Sequence, residues 1–156
     1  MNKKVAAVIL SCFLLGACGG SDAQRSGLSL DVSAFGERLY QELSYRDQLE
    51  ELDPLILYTL LGIDGSHVLE QKNYFSSGAT AEELIVFQAA DADALRTLKR
   101  AVEGRIKDQS SLYASYAPGE VAYLKAAVLE EKGDYLVYCV SSDEEAARKM
   151  VEEALR

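Results

Sequence analysis

The adjacent glutamates Glu82-Glu83 and Glu130-Glu131, the single histidine, His67, and a cysteine within an apolar run, Cys139, are among the side chains here with the chemistry for acid–base or nucleophilic work. A carboxylate dyad needs both groups on one face, and adjacent residues of a strand point to opposite faces. Neither pair is therefore a ready dyad, and both are expected as solvated charge. His67 has no second histidine with which to build a metal site and reads as a structural residue at a turn or strand edge. Asp91 and Asp93 stand at a helix start, where carboxylates accept from free backbone N–H groups, and their loop falls short of the oxygen set that calcium takes. Cys139 reads as a small hydrophobe rather than a nucleophile. HExxH, GxSxG, a Walker loop and a GxGxxG after a strand are all missing from the sequence. The expectation is a domain with no catalytic residues, no metal and no cofactor.

Cys18 is a different case. Lys3 and Lys4 precede an apolar run, Val5 to Leu15, and the small residues Gly16 and Ala17, which is the layout of a secretory signal. The run falls short of the roughly 20 residues that a helix needs to cross a bilayer. Leu15-Gly16-Ala17-Cys18 resembles the bacterial lipobox, in which the cysteine thiol takes a diacylglyceryl group and the chain is cleaved between Ala17 and Cys18. A thiol is nucleophilic enough to form the thioether, and small residues before it let a peptidase grip the chain. Each buried CH₂ of such an anchor contributes about 0.8 kcal/mol, and two chains hold stably where one does not. Residues 1–17 are thus expected as a removed signal peptide, 18–27 as a lipid-anchored flexible tether rich in glycine and serine, and 28–156 as a single α+β domain. With Cys12 lost and Cys18 alkylated, Cys139 has no disulfide partner. Loss of Lys3 and Lys4 with no acidic residue moves the formal charge from −9 to −11, so the basic footprint of a nucleic-acid binder is lacking.

The folded part must then position whatever surface matters. Asp31 as N-cap and Val32, Phe35, Leu39 and Leu43 at helical spacing predict a first helix reaching about Arg46. Asp53-Pro54 opens, and Gly62 closes, a short apolar helix expected to be buried. His67 to Phe75 and Glu83 to Ala89 read as strands, with Thr80 to Glu83 as a capping box for one helical turn between them. From Asp91 a long helix carries Leu95, Leu98, Val102, Ile106, Gln109 and Tyr113 on one stripe and ends before Pro118. Val121 to Glu130 and Asp134 to Ser141 read as strands around a Lys132-Gly133 hairpin. Ser142 with Glu145 caps a last helix bearing Ala146, Met150 and Leu155. Leu84-Ile85-Val86-Phe87 parallels Tyr135-Leu136-Val137-Tyr138, each strand leading into a capped helix, which gives two β-β-α units. The expected fold is a two-layer α+β sandwich: a four-stranded, mainly antiparallel sheet with both repeat helices on one side and two N-terminal helices at an edge or end.

Tyr58, Tyr135 and Tyr138 lie in apolar runs and are expected in the core. Arg105, Gln109, Tyr113 and Tyr116, at the end of the long helix, supply residue types enriched at interface hot spots and are the expected interaction surface. Leu61-Gly62-Ile63-Asp64, Ala81-Glu82-Glu83-Leu84, Val102 with Arg105, Ile106 and Gln109, Tyr116 with Pro118, and Gly133-Asp134-Tyr135 follow one another in an order that resembles the lipoproteins of the family "domain of unknown function 4358", over about residues 30–155. The resemblance implies a Gram-positive-type surface lipoprotein and no activity. A non-catalytic module is expected on the extracytoplasmic face of the cell membrane, held there by its diacylglyceryl anchor and binding an envelope protein or glycan. The alternative is a small envelope hydrolase using carboxylates.

Overall fold

The computed structural model describes residues 27–156. The signal peptide, Ala17, Cys18 and the tether up to residue 26 lie outside the described residues. Helix α1 (Val32–Glu42) starts where the Asp31 carboxylate accepts from Ala34 N at 2.9 Å. Helix α2 (Pro54–Leu61) is capped by Asp53, has proline at its first position, and ends at Gly62 with φ +65°, a left-handed conformation suited to glycine. A single 3₁₀ turn, Gly65–His67, leads into strand β1 (Val68–Phe75), which pairs antiparallel with β2 (Glu83–Ala89). Helix α3 (Ala92–Tyr116) and a short α4 (Glu120–Lys125) follow. A hairpin of β3 (Val128–Lys132) and β4 (Tyr135–Val140) and then α5 (Glu144–Ala154) complete the chain. The sheet order is β1-β2-β4-β3 with every neighbouring pair antiparallel.

The α+β class and the four-stranded sheet are as the sequence predicts; the siding of the helices is not. On one face Ile85 and Phe87 of β2 and Leu136 and Tyr138 of β4 pack with Leu98 and Val102 of α3 and with α2 and α4. On the other, Leu84, Val86, Val137 and Cys139 pack with Phe35 and Leu39 of α1 and Ala147 and Val151 of α5. The two repeat helices therefore take opposite faces. Val86 and Val137 are direct partners at the centre of the sheet; the cap of α3, Asp91, lies five residues past the first, and the cap of α5, Asp143, six past the second. Extended residues alternate sides, so one extra residue sends the second helix to the other face.

Four local expectations give way. Helix α1 stops at Glu42, because Arg46 and Asp47 donate their backbone N–H groups to the Glu82 carboxylate instead of continuing the helix. No helical turn forms at Thr80 to Glu83, where the Thr80 hydroxyl donates to Glu82 and Glu83 begins β2. Val121 to Lys125 is helix α4 rather than strand, and β3 begins at Val128. The cap of α5 is Asp143, which accepts from Ala146 N, whereas the Ser142 hydroxyl donates to the Ser44 carbonyl at 2.7 Å.

Candidate functional site

Glu82 and Glu83 are buried, at 0% and 4% exposure, and are not the solvated charges expected. They do point opposite ways, and each meets a guanidinium. On one side Glu82 accepts from the Arg46 side chain and from two backbone N–H groups. Arg46 also donates to both oxygens of Glu120, at 2.8 and 2.7 Å, and lies 3.8 Å over the Tyr123 ring. Glu120 in turn accepts from Ala81 N at 2.8 Å, and the guanidinium holds its carboxyl below the usual range. On the other side Arg105 donates Nε and Nη2 to the two oxygens of Glu83. Burial pushes the Glu83 carboxyl up, against the pull of Arg105. Each of these carboxylates is spent on a bidentate or backbone contact, which leaves none of the three poised as a general base.

The tyrosines at the end of α3 join this network. Tyr113 donates to the Thr80 carbonyl and Tyr116 to that of Gly78, so the segment 76–82 between β1 and β2 is held from both α3 and α4. Tyr113 is 2% exposed, and Arg105 is committed to Glu83. Of the four residues expected at an interaction surface, Tyr113 and Arg105 therefore serve the fold, Gln109 is half-buried, and Tyr116 alone is exposed. Beside the Arg105–Glu83 pair the buried Tyr138 hydroxyl has no hydrogen-bond partner among the described residues. Cys139, free and 1% exposed, has its thiol pushed up to about 12 by burial, as suits an inert core residue. Tyr135 and Tyr138 are in the core, as predicted, and Tyr58 is half-buried. Asp91 caps α3 as expected. No cluster of histidine, cysteine and carboxylate able to hold a metal occurs among the described residues.

The candidate contact surface lies between α2 and α3 and takes in Arg105 and Gln109 of those four residues. Helix α2, PLILYTLL, buries only Leu57 and Leu61; Leu55, Ile56 and Leu60 are 74%, 57% and 45% exposed, against the expectation of a buried helix. The helix packs beside α3, and one row of side chains is enough to seat it there. Between the two helices runs a groove of about 380 Å³ lined by Leu60, Leu61, Ala101, Gly104 and Leu112 and by the polar side chains of Arg100, Arg105, Asp108 and Gln109. Leu112 is itself 55% exposed. Gly104 sits mid-helix, where glycine costs about 1 kcal/mol relative to alanine. A Cβ there would meet no atom within 4 Å, so its own fold does not require glycine. Contiguous exposed apolar residues with polar neighbours make this groove the candidate contact site. The signal was present in the sequence as eight residues with almost no polar side, which a small domain cannot hide on every side.

The family model described as "Domain of unknown function (DUF4358)" matches residues 41–141, a span that takes in α2, α3, the whole sheet and the Arg46, Glu82, Glu83, Arg105 and Glu120 network. Neither a curated protein nor a solved structure matches the chain.

Proposed function

From the premise that the chain belongs to the DUF4358 family, we propose that it is a lipid-anchored, extracytoplasmic interaction module whose contact surface is the groove between α2 and α3. One observation carries the surface: Leu55, Ile56 and Leu60 stay open to solvent beside a groove of about 380 Å³, while the polar clusters of the fold are turned inward on one another. Such a surface suits contact rather than turnover, because it offers apolar area and a polar rim and no activated group.

What supports the anchor is the Leu15-Gly16-Ala17-Cys18 sequence together with the glycine- and serine-rich stretch that follows it. Among the described residues no helix is long and apolar enough to cross a membrane, so attachment at Cys18 would be the means of holding the domain at the bilayer. Labelling cells with a fatty-acid analogue tests this part. The full chain takes the label and its mature N-terminus is Cys18, whereas Cys18→Ala takes none and stays uncleaved; a labelled Cys18→Ala chain, or a mature N-terminus elsewhere, contradicts it. The surface is tested by chemical cross-linking of the full chain in its membrane: Leu60→Glu keeps the domain folded and removes the adduct that the parent gives, and an adduct that survives the substitution contradicts the reading.

A further inference from the structure

Along the open face of α3, Arg100, Gly104 and Asp108 follow at intervals of four residues, all three exposed. Four residues is just over one helical turn, so they form one row about 12 Å long with glycine at its midpoint. Neither Arg100 nor Asp108 joins an ion pair among the described residues. Arg100 donates only to Thr97 of its own helix. A row with a cation at one end, an anion at the other and open space between them complements its own reverse.

We propose that the partner of the α2–α3 surface is a second copy of this chain, docked about a two-fold axis that crosses α3 at Gly104. This rests on the reading of that surface as a contact site. In such a dimer the two α3 helices run antiparallel, and Arg100 of each copy faces Asp108 of the other. The missing Cβ at Gly104 lets the backbones approach at the crossing point. Because the axis is perpendicular to α3, α2 of one copy lies on the same side as α2 of the other. Leu55, Ile56 and Leu60 then meet their own counterparts, covering the apolar residues that the single chain leaves open. The contact is isologous and closes on itself, with no unpaired surface left to propagate a filament. The charge balance within the row also matters, since two strongly acidic chains would otherwise repel; here one positive and one negative end meet their opposites.

The test uses the full chain in its membrane and a cysteine at the crossing point. Gly104→Cys places two thiols on the axis, where the geometry of a disulfide can be met, and mild oxidation gives a covalent dimer as the main product. Lys149→Cys, exposed on α5 and on the opposite face of the sheet, gives none, and neither does the parent chain, in which Cys12 leaves with the signal, Cys18 carries the lipid and Cys139 is buried. In native electrophoresis of the detergent-extracted chain, Arg100→Glu and Asp108→Arg each abolish the dimer, and the double substitution restores it, which a helix of another protein or a bilayer in the groove would not do. A Gly104→Cys chain that forms no more dimer than Lys149→Cys overturns the proposal, as does a double substitution that fails to restore the dimer. Contact of Ile56 with a different protein, without dimer, would remove the two-fold and leave the contact surface standing.

Discussion

The Arg46 guanidinium donates to both oxygens of the Glu120 carboxylate across 74 residues of sequence, and its backbone N–H is bound by Glu82. One residue thereby ties the end of the α1 region to β2 and α4. Replacing it by alanine leaves two buried carboxylates without their cation, a loss on the order of 3–5 kcal/mol. Arg46→Ala is expected to lower the melting temperature by about 6–20 degrees, on the scale of roughly 2–4 degrees per kcal/mol for a chain of this size. Arg46→Lys restores little, since an ammonium cannot reproduce the two parallel bonds. Thermal unfolding of the two variants checks both statements.

Glu120 also sets a direction for pH. Its carboxyl is held below the usual range chiefly by the Arg46 hydrogen bonds. A lowered folded-state value means that the stabilisation is present above the unfolded carboxylate range and fades as pH falls through the folded value. Glu120→Gln should therefore be clearly less stable than the parent near neutral pH. The gap should narrow as pH falls below about 4.5, the ordinary glutamate range. Denaturant titrations at a series of pH values measure the gap; one that widens on acidification contradicts the assignment.

Helix α2 divides into a buried and an open side. Leu57 is 0% exposed and Ile56, its neighbour, 57%. Leu57→Ala should cost roughly 2–5 kcal/mol, whereas Ile56→Ala should stay within about 0.5 kcal/mol of the parent. Chemical denaturation of the pair distinguishes this packing from one in which α2 is covered all round.

The Tyr138 hydroxyl, buried beside the Arg105–Glu83 pair, is left unsatisfied among the described residues. Removing it at constant shape takes away a desolvation penalty on the order of 1–3 kcal/mol. Tyr138→Phe is expected to melt at or above the parent temperature. A clear loss of stability would show that the hydroxyl has a partner.

What could be read from the sequence and what could not divide along one physical line. The caps of α1, α2 and α3 were legible, because Asp31, Asp53-Pro54, Gly62 and Asp91 act on backbone groups within a few residues, whereas that of α5 was read one residue early, at Ser142 rather than Asp143. The central strands were legible as apolar runs between turns. Val121 to Lys125 was not, since so short a run, four apolar residues and a lysine, fits a strand and a helix turn equally, and the contact that holds its start is that of Glu120 with Arg46, far away in sequence. The buried charges Glu82 and Glu83 were misplaced for the same reason: their partners sit 22 to 36 residues off, and adjacency alone says only that they point apart. For the contact surface, the apolar character of α2 was plain, but not which of its sides would find cover. That depends on α3 lying along Leu57 and Leu61 and leaving Leu55, Ile56 and Leu60 open.

The claim that the α2–α3 face is the working surface of this domain is tested most directly by a photo-activated cross-linking residue placed at Ile56 in the full chain, in its native membrane, with the same residue at Lys149 for comparison. Irradiation is expected to give one defined adduct from position 56, lost when Leu60→Glu is added, and none from position 149. No adduct from position 56, or one equally strong from position 149, would contradict it.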